Sequence, residues 1–142
     1  MDHLSWESLS VWNDFEVFEA VRKLQGQDYD AVIINCYSDP HLYACRQIMD
    51  IPVVGVAQTS MLMASMMGPK FGVITFCQPY IYLVDSLAAK YGCKDLAVPT
   101  RSMDTTHREL VKSFWDAHDI IKKFGDFARQ SIADGAEVLV PG

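Results

Sequence analysis

No apolar run in the 142 residues approaches the roughly 18–20 residues that a membrane-spanning helix needs. The N-terminus has neither the basic nor the apolar region of a signal peptide. Positive charge is sparse: Lys and Arg number 12 against 18 Asp and Glu, the net charge is −6, and no basic cluster exceeds an adjacent pair such as Lys122-Lys123. That balance excludes a nucleic-acid partner and an anionic membrane surface. The four cysteines, Cys36, Cys45, Cys77 and Cys93, form no CxxC pair, and the four histidines fall at no zinc-ligand spacing. Neither a metal site nor a disulfide framework is therefore expected. No internal repeat of about 20–50 residues is visible. What remains is a soluble, cytoplasmic chain of one domain's length or somewhat less than two small ones, half hydrophobic and therefore able to bury a core.

Within that frame one stretch stands out: Ile33-Ile34-Asn35-Cys36-Tyr37-Ser38-Asp39-Pro40-His41-Leu42. An apolar run ends in a polar hook carrying a cysteine, and the hook reads directly into a helix, with Asp39 as N-cap and Pro40 at the first helical position. A thiol at the carboxyl end of a strand and facing a helix start can be shifted toward thiolate, so Cys36 is the candidate for chemistry. Cys45 and Cys93 read instead as small buried hydrophobes.

The rest of the chain alternates strand and helix. Residues 1–12 show no clean period and read as an irregular arm. Asn13 with Glu16 has capping-box spacing before a helix that ends near Gly26. Tyr29 to Asn35 reads as a strand whose continuously apolar centre suits a parallel strand covered on both faces. Residues 40–49 read as a helix and Ile51 to Val56 as a second strand. Thr59-Ser60 then cap a helix carrying Met61, Met63, Met66 and Met67, a stripe expected to pack on a sheet, and Gly68-Pro69 stops it. Phe71–Thr75 is a third strand, Pro79 to Lys90 a helix closed by Gly92, and Leu96–Val98 a fourth strand. A polar loop over 99–106 precedes helical pattern from His107, broken near 117–119 and ended by Gly135. Ala136–Val140 is a fifth strand. The class is α/β with mostly parallel sheet, helices on both faces, and a site beyond the carboxyl ends of the strands where residues 35–39, 57–60 and 75–80 converge.

The segment Asp30 to Leu42, with Ile51-Pro52-Val53-Val54-Gly55-Val56, Phe71-Gly72-Val73-Ile74-Thr75 and the closing Asp134 to Gly142, resembles the aspartate/glutamate/hydantoin racemase superfamily, its hydantoin racemase branch above all. The resemblance runs over about residues 28–142 and rests most on the Cys-x-Ser-Asp-Pro hook. It implies two similar α/β halves, here residues 1–68 and 69–142, each incomplete, because the family's first strand has no match before residue 28 and its second cysteine is expected just after Gly142. It implies racemisation without a cofactor. One thiolate takes the proton α to a carbonyl of a 5-substituted hydantoin or amino-acid-like small molecule, and a second thiol returns one to the opposite face.

Cys36 matches the first of those cysteines. Asn35, Tyr37, Ser38, Thr75 and Tyr80 are the residues expected to line the substrate, although Asn35 and Ser38 could equally serve as strand-end or turn residues, Thr75 has simple capping as its alternative, and surface packing is the stronger reading for Tyr80. His41 is expected to support the helix start rather than to pair with the thiol, and Cys77, also placed after a strand, is an outside candidate for a second base. A chain ending before the second cysteine should not complete a two-base reaction by itself. Other readings remain open: a maleate isomerase-like enzyme, or a non-catalytic protein that keeps the fold and its crevice. An arylmalonate decarboxylase would carry glycine at position 36. Apolar surface left uncovered by missing pieces makes a homo-oligomer the expected assembly.

Overall fold

A computed structural model describes residues 7–142. Among the described residues, five parallel strands lie in two sheets with six helices around them. The first sheet pairs β1 (Val32–Ile34) with β2 (Val53–Gly55), in a register that sets Val32 beside Val53 and Ile34 beside Gly55. The second has the order β4 (Arg101–Ser102), β3 (Phe71–Thr75), β5 (Val138–Pro141). β3 is central and all five of its residues are buried. Its pairing sets Thr75 beside Ser102 and Ile74 beside Pro141. The carboxyl ends of these strands therefore share one edge.

The helices are α1 (Glu7–Arg22), α2 (Leu42–Ile48), α3 (Val56–Met67), α4 (Pro79–Lys90), α5 (His107–Lys112) and α6 (His118–Ala133). Val21, Val32, Ile34, Leu42, Cys45 and Val53 form the core of the first sheet with α1 and α2. Ala57, Met61 and Ala64 of α3 and Val84, Leu87 and Ala88 of α4 pack with Phe71, Val73 and Val140 in the second core. Phe71 is wholly buried, a position worth about 1.5–3 kcal/mol in transfer free energy alone. Cys45 and Cys93 are buried in these cores, as a small hydrophobe would be, and burial pushes both thiols up from the usual range. Among the described residues no helix is long and apolar enough to cross a membrane.

Several expectations are corrected. Residues 7–12 are helical, so α1 runs through Asn13 rather than being capped by it; its exposed Val11, Trp12 and Phe15 hide the period. Residues 1–6 of the expected arm lie outside the described residues. β1 is covered on one face only: Val32 and Ile34 are buried, while Ile33 between them is 68% exposed. In α3, Met61 faces the core, but Met63, Met66 and Met67 face outward, so three of the four methionines do not pack on the sheet. The expected strand Leu96–Val98 is a 3-10 turn (Lys94–Leu96) followed by one bridge from Ala97 to Phe71; the paired strand is Arg101–Ser102, inside the stretch read as loop. Polar composition concealed it: Arg101 can pair its backbone with β3 while its side chain salt-bridges Asp134. The break between α5 and α6 covers 113–117, earlier than the expected 117–119, and α5 opens on a capping box in which the Thr106 hydroxyl accepts from the Glu109 N–H and the Glu109 carboxylate accepts from the Thr106 N–H.

Candidate functional site at the carboxyl edge of the strands

Cys36 follows β1 and is exposed, with its Sγ 3.2 Å from the Ser38 hydroxyl. The turn carrying it closes by a hydrogen bond from the Asp39 N–H to the Cys36 carbonyl at 3.0 Å. At the start of α4, after β3, Tyr80 is half-buried with its ring 4.8 Å from that of Phe76. Burial pushes the Tyr80 phenol up from its usual range, and the nearby Cys36, Cys77 and Asp14 add to the effect. Cys36, Cys77 and Asp14 of α1 thus lie near enough to the phenol for their charges to act on it.

Asn35, by contrast, is simply exposed beside the thiol. Tyr37 turns inward: burial raises its phenol, and it accepts a long 3.5 Å bond from the Ser60 hydroxyl. The end of β5 reaches the same place. The Gly142 N–H donates to the Ile74 carbonyl, and a Cβ at position 142 would fall 2.7 Å from Val73 Cγ1 and 2.9 Å from the Tyr37 ring. Thr75, at the end of β3, is wholly buried, and its hydroxyl has no hydrogen-bond partner among the described residues. A buried hydroxyl left so costs about 1–3 kcal/mol. His41 sets its ring edge-on to Phe18 of α1, with Asp14 close enough for His41 to draw its carboxyl down against the larger raising effect of burial.

Asp39 does not cap the helix that follows it. α2 begins at Leu42, its N-cap position is His41, and no side chain caps it. Pro40 lies in the turn before it, and Asp39 and His41 hold φ of 47° and 49°, a left-handed conformation that costs a non-glycine residue about 1–3 kcal/mol. The Asp39 carboxylate instead reaches α3, which starts at Val56, before the expected Thr59-Ser60 cap. Its Oδ1 accepts from the Ala57 N–H at 3.0 Å and its Oδ2 from the Gln58 N–H at 2.7 Å and the Tyr91 hydroxyl at 2.7 Å. Ser60 bonds within its own helix, to the Ala57 carbonyl. The amides in α3's first turn are thereby satisfied by a side chain from the cysteine's own loop. Reading Asp39 as a local cap missed this. The available signal was Gly55, a glycine at a strand end, which often marks close approach by another group.

A family model described as Asp/Glu/Hydantoin racemase matches residues 5–142. The chain belongs to that family. Among curated members it is 34% identical over 126 residues to the hydantoin racemase of Pseudomonas sp. (strain NS671), covering 89% of this chain and 50% of that one. It is 29% identical over 122 residues to the hydantoin racemase of Rhizobium meliloti, covering 86% and 50%. The chain therefore spans about half the length of the curated relatives it matches. Among solved structures, the allantoin racemase from Klebsiella pneumoniae superposes with a TM-score of 0.82 at 23% identity, over 91% of this chain and 52% of that one. That likeness establishes the shared α/β fold.

Proposed function

We propose that the chain is the part of a cofactor-independent racemase that carries its first acid/base group, acting on a small molecule with an acidic hydrogen α to a carbonyl, such as a 5-substituted hydantoin. The observation that carries this reading is the exposed Cys36 thiol at the end of β1, in contact with the Ser38 hydroxyl. In this role the Cys36 thiolate removes the α proton, and the developing enolate oxygen takes hydrogen bonds from Thr75, whose buried hydroxyl has none to give up, and from Ser38. Tyr80, a phenol protonated at neutral pH whose burial disfavours ionisation further, is a further donor. Asn35 and Tyr37 complete the wall. The names of the relatives, hydantoin racemases over half their length, support this substrate class.

Inversion needs a second group on the opposite face, because one base returns the proton to the side it left. The carboxyl end of β5 is the place for it: Gly142 packs on Tyr37, next to Cys36 in the chain. The second cysteine is thus proposed to follow Gly142 in the whole protein, with the two sheets belonging to two halves and this chain by itself unable to invert its substrate. Exposed Ile33, Met66 and Trp115 support self-association. The alternative reading is a binding protein that keeps the crevice without turnover. The deciding experiment follows deuterium uptake from solvent at the α position of 5-substituted hydantoins by the protein expressed from its complete gene. Exchange that Cys36→Ala abolishes is expected. Exchange indifferent to that substitution would refute the racemase reading, and substrate binding without any exchange would favour the binding protein.

A further inference from the structure

We propose that Asp39 is a positioning residue for Cys36: its buried carboxylate, gripped by two amides of α3 and by the Tyr91 hydroxyl, fixes the turn that presents the thiol. The proposal rests on the reading of Cys36 as the acid/base group, but the geometry that supports it stands without a substrate.

Asp39 is 2% exposed, and a carboxylate so buried must be held by donors. Its donors come from far along the chain, 18, 19 and 52 residues away, so they bind the cysteine loop to the start of α3 and to the end of α4 at once. The backbone of the same residue closes the hook on both sides. Its N–H donates to the Cys36 carbonyl at 3.0 Å, and its carbonyl accepts from the Leu42 N–H at 3.2 Å. Left-handed φ at Asp39 and His41 means that the turn does not hold itself, because such conformations persist where the surroundings impose them. Gly55 is part of the same device: a Cβ there would lie 2.6 Å from both Asp39 Cγ and Oδ1, so only glycine leaves the carboxylate its seat. If Asp39 were a cap for α3 and nothing more, its loss would loosen that helix and leave the thiol as it was.

The test reads the thiol directly. Alkylation of Cys36 by iodoacetamide is followed by peptide mass spectrometry across the pH range in the intact chain, with the Cys77 peptide as internal reference. In Asp39→Asn, one oxygen becomes a donor facing donors, and the pH midpoint of Cys36 alkylation is expected to move by about half a unit or more, or its limiting rate by about threefold or more. Gly55→Ala displaces the carboxylate while keeping its charge, so a matching change there assigns the effect to position rather than to charge. Tyr91→Phe removes one donor and no charge; it carries the test if the other two variants do not fold, with an expected change in rate of about twofold. Folded variants whose Cys36 profile stays with that of the unsubstituted chain, while α3 alone loses stability, overturn the proposal. Absence of hydantoin exchange would instead remove the reaction and leave this result standing, because alkylation needs no substrate.

Discussion

Replacing Thr75 by valine should make the protein more stable and its site worse. The side chain is wholly buried at the end of β3, and its hydroxyl has no partner among the described residues. Desolvating a hydroxyl without compensation costs about 1–3 kcal/mol, and valine, nearly the same shape, removes that cost. Valine also suits a fully buried strand. Allowing for the slightly larger methyl, a gain of about 1 kcal/mol is expected. With a urea dependence of about 1–3 kcal/mol per molar for a domain of this size, the unfolding midpoint should rise by about 0.3–1 M. Ser131→Ala is the control: it removes the other buried hydroxyl without a partner, which lies beside Gly72 under the sheet and away from the thiol. Both variants should gain stability, but only Thr75→Val should lose hydantoin binding in the whole protein, the opposed signs expected where a polar group is kept for a ligand. A midpoint lowered by Thr75→Val would show that the hydroxyl already has a partner, and the assignment of Thr75 as a free donor would fall.

Gly55→Ala should destabilise the chain by about 3 kcal/mol or more, combining overpacking against Asp39 and Leu42 with displacement of charge-assisted hydrogen bonds; urea unfolding measures it, and a loss under about 1 kcal/mol would contradict the close approach. Tyr91 supplies a pH dependence. Burial, with the Asp39 carboxylate adding to it, pushes its phenol well above the ordinary range, so its contribution is complete below the unfolded value near 10 and is lost as pH rises beyond it. Melting temperature followed from neutral to strongly alkaline pH should therefore fall less steeply in Tyr91→Phe than in the unsubstituted chain.

Strands with strong apolar patterns were legible in the sequence. Phe71–Thr75 forms as read, because five consecutive buried positions leave the pattern little choice. The Cys36 hook stands out in the sequence as a candidate site for a similar local reason: an apolar run meeting polar turn residues. What escaped was everything decided at a distance. The residues 99–106 look like loop, yet two of them pair with β3 because the strand needs a neighbour. α3 begins at Val56 rather than after a Thr-Ser cap because its capping group arrives from residue 39. Val32, Ile33 and Ile34 look alike in sequence, and only the packing on one side of β1 separates the two buried residues from the exposed one. Tyr91 has no local feature that would connect it with a residue 52 positions earlier.

The wiring of Asp39 also bears on protein engineering. A ten-residue cassette, Ile33 to Leu42, contains the whole recognisable motif and would be the natural piece to transplant into another α/β scaffold. Moved alone, it would carry a carboxylate whose three donors stay behind, and would meet a β-carbon wherever the host lacks a glycine equivalent to Gly55. The smallest portable unit is therefore discontinuous: the hook, the junction of β2 and α3, and the tyrosine after α4. A graft of the first piece alone should yield a cysteine without its orientation.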